Sequence, residues 1–119
     1  MVSDGEVVEF FSRFFRRVLT SSLGESAAEA LLLVLRRGLG QEPSELFWEN
    51  PKEFYSGMEK TVGMGTEVLV KLLVAAINRE GNLNIYPDKF IELMRSGDPK
   101  SIGEIHSILR RLAEVKLNE

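Results

Sequence analysis

The chain reads as an all-α protein, a compact bundle-like or orthogonal domain of six to seven helices with no significant sheet. Three observations predict this. Apolar residues recur at helical spacing through most of its 119 residues. Helix-start signals appear again and again along the chain. Only Leu83 to Tyr86 looks β-like, and it is too short to build a sheet.

Residues 6–20 carry the clearest period. At 100° per residue, Val7, Val8, Phe10, Phe11, Phe14, Phe15, Val18 and Leu19 fill one half of the wheel, and Glu6, Glu9, Arg13, Arg16 and Arg17 fill much of the other. Ser3 with Glu6 forms a capping box, and Gly24 suits the stop. The apolar arc is wide enough to touch two neighbours, or one neighbour and a second chain. Ser26 and Glu29 form another capping-box pattern ahead of an apolar run, Ala27 to Leu35, which Gly38 and Gly40 close. Pro43 opens a short segment, Ser44 to Trp48.

Asn50-Pro51-Lys52-Glu53 starts the next helix with a cap residue, a first-turn proline and a glutamate at the third position. Phe54, Met58 and Val62 line one face of it. Gly63-Met64-Gly65 breaks the chain, and Thr66 is placed to cap a helix running to about Asn78 or Arg79. That helix is apolar nearly all round from Val68 to Ile77, the mark of a central element. Pro87 opens a helix using Phe90, Ile91, Leu93 and Met94. Gly97-Asp98-Pro99 is a turn and a fresh start, and the last helix spans about Ser101 to Lys116. The whole chain, 1–119, is expected to be a single helical domain. A weak internal seam near 79–87 sets the main body apart from a C-terminal helix pair.

Composition narrows the function. The chain is 44% hydrophobic, 28% charged and 8% aromatic, the balance of a globular domain. Fifteen basic against 18 acidic residues leave a net charge of −3, with no polybasic arm to draw in nucleic acid or an anionic membrane. With no cysteine there is no disulfide, thiolate metal site or cysteine nucleophile, which fits a reducing, cytoplasmic setting. One histidine excludes a two-histidine metal site within one chain. The apolar stretch Val68 to Ile77 is interrupted by Lys71 and falls short of the roughly 20 residues a spanning helix needs. No metal, cofactor or membrane is expected.

Few residues suggest chemistry. Gly63-Met64-Gly65-Thr66 precedes a helix but lacks the strand, third glycine and lysine of a phosphate-binding loop, so it reads as a tight turn. His106 has no carboxylate placed by sequence to orient it. Glu49, Glu53 and Glu59 have solvated surroundings and no accompanying Glu-x-x-His pattern. Phe47-Trp48 and Phe54-Tyr55 concentrate aromatics, one of each pair suiting the core and the other a partner-facing anchor. Phe10, Phe15, Trp48 and Tyr55 are therefore the candidate partner-binding residues. The tandem pairs Arg16-Arg17, Arg36-Arg37 and Arg110-Arg111 read most simply as solvated helix faces. If they converged they would clamp phosphate, and Arg36, Arg37, Arg110 and Arg111 are the candidates for that alternative.

The middle of the chain resembles a small archaeal family known as a nitrosopumilus output domain. The likeness covers about residues 23–80. It rests on Leu23-Gly24-Glu25-Ser26-Ala27, Ala30-Leu31, Asn50-Pro51-Lys52-Glu53-Phe54, Met58-Glu59 and Gly63-Met64-Gly65-Thr66-Glu67-Val68-Leu69. The resemblance implies a compact helical output or interaction module, and it carries no catalytic signature. The phenylalanine-rich first helix and the C-terminal helical region are departures from it.

The functional expectation is a non-enzymatic protein–protein interaction or regulatory module. Its apolar faces exceed what one chain of this size is expected to hide, so a homodimer or a protein partner is anticipated. The alternative is a nucleic-acid-binding regulator using the paired arginines.

Overall fold

The computed structural model describes residues 2–119, and among these it contains seven helices and no strand. They are α1 (Asp4–Leu23), α2 (Glu25–Leu39), α3 (Pro43–Glu49), α4 (Pro51–Val62), α5 (Gly65–Gly81), α6 (Pro87–Ser96) and α7 (Pro99–Leu117).

Three helix starts follow the sequence signals atom for atom. The Glu6 amide donates to Ser3 Oγ at 3.2 Å while the Ser3 amide donates to Glu6 Oε1 at 3.1 Å. That backbone hydrogen bond, helped by the Ser3 hydroxyl, holds the Glu6 carboxyl below its ordinary pKa. The Glu53 amide donates to Asn50 Oδ1 at 3.1 Å, and the Ser101 amide to Asp98 Oδ1 at 2.8 Å. Two expected caps are displaced. Gly24, at φ +88°, ends α1 and begins α2 by itself, which puts Ser26 inside the helix. α5 starts at Gly65, so Thr66 is a buried helical residue and not a cap.

Helix α1 is the centre of the molecule. It packs against α2, α3, α5 and α7, so its wide apolar arc is covered by its own chain. Phe11, Phe14, Phe47, Phe54 and Phe90 form the aromatic heart of the core. Phe47 lies 4.8 Å from the Phe11 ring and 5.2 Å from that of Phe54, centroid to centroid. Helix α5, read from its sequence as a central element, has four neighbours. It packs on α1, α4, α6 and α7, yet Val68, Lys71, Ala75 and Arg79 form an outward strip at helical spacing.

Helices α2 and α4 meet closely because glycine sits at the crossing. A Cβ built on Gly38 would come 2.6 Å from Thr61 Oγ1, and one on Gly57 would come 2.2 Å from Leu39 Cδ2. Neither glycine has positive φ; each is needed for room.

The seam at 79–87 does not part the chain, because α6 and α7 pack on α1, α4 and α5. The β-like residues 83–86 are an extended loop held against α5 by one side chain. Asn78 Nδ2 donates to the Ile85 carbonyl and the Ile85 amide donates to Asn78 Oδ1, both at 2.8 Å. Glu80 adds a charged tie between three helices. Its Oε2 accepts from Arg17 Nη1 of α1 at 2.9 Å, and its Oε1 lies 3.5 Å from Lys116 Nζ of α7. The second contact is a charge contact without hydrogen-bond geometry.

Candidate functional site

The proposed aromatic anchors are corrected by their burial. Phe10, Phe15 and Tyr55 are 7%, 3% and 3% exposed and belong to the core. Phe10 stacks on Phe14 at 5.8 Å, and Phe15 meets Phe54 edge-on at 6.3 Å. The cause is the number of neighbours around α1: four helices close over an arc that was read as surplus. Phe10 and Phe15, held this way, cannot reach a partner without unfolding the domain, and Tyr55, on α4, shows only its edge in the floor of a groove.

Trp48 is the exception, half-buried at the end of α3. Its ring lies flat on His106 of α7, with centroids 3.7 Å apart and planes 7° off parallel. The same imidazole places Nε2 2.8 Å from the Trp48 carbonyl oxygen. A carbonyl only accepts, so Nε2 carries the hydrogen and donates it. The Arg110 guanidinium stands 5.4 Å from the Trp48 ring centroid while its Nη2 donates to Asp4 Oδ1 at 2.9 Å. His106 is thus a structural histidine joining α7 to α3. Replacing it with alanine removes the stack and the hydrogen bond. The expected loss is about 1–2 kcal/mol in chemical denaturation, with a red shift of tryptophan emission as Trp48 becomes wetter. Unchanged stability and emission in His106→Ala would refute this role.

The arginine pairs do not form one patch. Arg36 Nε donates to Glu42 Oε2 at 2.9 Å, Arg16 pairs with Glu29, and Arg17 pairs with Glu80. Arg36 lies beside Ser12 to Arg16 in α1, whereas Arg110 reaches Asp4 at the start of that helix. From residue 4 to residue 12 is about 12 Å of helix rise. Arg37 and Arg111 are exposed and, among the described residues, make no ion pair.

Two other surfaces stand out. The first is the outward side of α2. From Ala27 to Leu35 every residue but Glu29 is apolar, yet only Ala28, Leu32 and Leu35 are buried. Ala27, Ala30, Leu33 and Val34 are exposed, the last two at 46% and 47%, and Leu31 is half-buried. The apolar run was legible in the sequence; which side of it stayed uncovered was not.

The second is a groove where α4, α5 and α6 meet. One depression of about 430 Å³ is lined by Tyr55, Glu59, Gly63, Met64, Thr66, Glu67 and Arg95. A second of about 500 Å³ shares Glu67 and Arg95 with it and adds Asp88, Ile91 and Glu92. Arg95 lies over the Tyr55 ring, 5.8 Å from its centroid. Burial pushes the Tyr55 phenol above its ordinary pKa; Glu59 and Glu67 push the same way and Arg95 opposes them. The phenol is therefore neutral at neutral pH. Sequence reasoning touched Tyr55, Glu59 and the Gly63-Met64-Gly65-Thr66 turn separately, but no spacing links them to Arg95.

Among the described residues no group of three or more acidic or histidine side chains is arranged to hold a metal ion. No described helix is long and apolar enough to cross a membrane. These surfaces define a seven-helix domain with an uncovered apolar helix face and a separate acidic groove. Compared with family models, curated proteins and solved structures, the chain finds no match.

Proposed function

We propose that the protein is a non-enzymatic interaction module that self-associates through the outward face of α2. The observation that carries this reading is the exposed apolar stretch of α2 from Ala27 to Val34, with Arg37 as the one exposed charge at its C-terminal edge. A helix of that composition is ordinarily covered on both sides. Its residues at 26, 27, 30, 31, 33 and 34 include no charge, while Glu29 is engaged with Arg16 of α1.

The face is also self-complementary. A two-fold dimer buries the same patch on both subunits. When two copies of α2 run antiparallel about the midpoint of Ala30 and Leu31, Ala27 opposes Val34 and Ala30 opposes Leu31. Each small residue meets a larger one, so the helices can approach and interlock.

The test is mass in solution. Sedimentation equilibrium should give twice the 13.4 kDa chain mass for the native protein. Val34→Glu places a charge at an exposed position, so the fold should be kept and the mass should fall to that of one chain. A native protein that stays monomeric at high micromolar concentration would end the proposal, as would a Val34→Glu variant that still dimerises.

A further inference from the structure

The groove between α4, α5 and α6 is built from elements other than α2 and asks for a different occupant. Four carboxylates line it, those of Glu59, Glu67, Asp88 and Glu92, against the single guanidinium of Arg95. Its lining thus carries a net charge of −3, as much as the formal net charge of the whole chain. None of the four carboxylates makes an ion pair among the described residues. The other acidic groove, between α1 and α3, differs in part: there Glu9 is engaged by Arg13 and Glu42 by Arg36, and only Glu45 and Glu49 make no ion pair among the described residues. Asp88 and Glu92 are four residues apart on α6, where like charges repel each other unless a cation lies between them.

Two further features favour a ligand with both polar and apolar parts. Thr66, 2% exposed, is a lining residue of the groove, and its buried hydroxyl oxygen has no hydrogen-bond partner. Met64 is 96% exposed at the rim, and Ile91 lies in the lining.

We propose that this groove docks a basic peptide segment of a partner protein. Lysine or arginine side chains of the segment meet the unpaired carboxylates, and an apolar residue packs on Met64 and Ile91. Arg95, steadied by the face of Tyr55, is left to hydrogen-bond a carbonyl of the bound backbone. Complementary charge of this kind sets partner choice and association rate more than raw affinity.

The experiment uses the full chain and two fluorescein-labelled synthetic peptides, followed by anisotropy at low and moderate salt. One peptide has lysines flanking a leucine; the other replaces each lysine with glutamate. The lysine peptide should bind, more weakly as salt rises, and the glutamate peptide should not. The double variant Glu59→Gln/Glu67→Gln should weaken binding about fivefold to tenfold, the loss of two surface charge contacts. The matched variant Glu45→Gln/Glu49→Gln removes the same charge from the other acidic groove and should leave binding nearly unchanged. Binding should persist in Val34→Glu, which separates this inference from self-association. No binding of the lysine peptide, equal binding of the glutamate peptide, or equal weakening by the two double variants would each overturn it.

Discussion

Replacing Phe47 with alanine should destabilise the domain by about 3–5 kcal/mol, the range for emptying a fully buried aromatic site. Phe47 is 0% exposed. Its ring centroid lies 4.8 Å from that of Phe11, 5.2 Å from Phe54 and 6.2 Å from Phe90, so one side chain of α3 joins α1, α4 and α6. A short helix such as α3 has little stability of its own, so it depends on this anchor. Domains of this size are stable by only about 5–15 kcal/mol, so the variant should lose a large share of its stability. Denaturant titration should show a lower midpoint with an unchanged slope. A loss below about 1 kcal/mol would mean that the neighbours collapse into the space and that the ring is not the keystone described.

The second large effect is expected at Asn78. Its amide makes both hydrogen bonds to the backbone of Ile85, acting as a stand-in for a neighbouring strand. Asn78→Ala leaves that half-buried amide and carbonyl unpaired. About 2–3 kcal/mol should be lost, two ordinary hydrogen bonds plus part of the desolvation cost of the abandoned groups. Asn78→Asp keeps the acceptor but loses the donor and sets a carboxylate against a carbonyl, so it should also destabilise. Hydrogen exchange gives the sharper reading. The Ile85 amide should lose protection in Asn78→Ala while amides in the middle of α1 exchange only with global unfolding. If Ile85 stayed protected, the clamp would be redundant.

Much of the fold was written locally. Ser3, Asn50 and Asp98 each occupy the cap that their sequence neighbourhood announces, because capping is decided within four residues. Ser26 and Thr66 carried the same kind of signal and lost to context. Gly24 breaks the chain two residues before Ser26's pattern begins, and burial draws Thr66 into the first turn of α5. The partner-facing residues were far less legible. A hydrophobic wheel gives the width of an apolar arc but not the number of helices that will close over it. So Phe10 and Phe15 looked available and are enclosed, while Leu33 and Val34, undistinguished within the run from Ala27 to Leu35, are exposed. The acidic groove depends on Glu59, Glu67 and Arg95 arriving from three different helices, a meeting set by tertiary packing alone.

The glycine crossing of α2 and α4 has an engineering corollary. At Gly38 and Gly57 the depth at which α2 sits is fixed by missing atoms, and a single methyl there acts as a shim between the two helices. Alanine at Gly57 would press on the end of Leu39, which must turn aside or push the C-terminal half of α2 outward, without altering any solvent-facing residue of that helix. The attitude of the exposed face, and with it the angle at which two subunits could meet, is therefore adjustable from beneath.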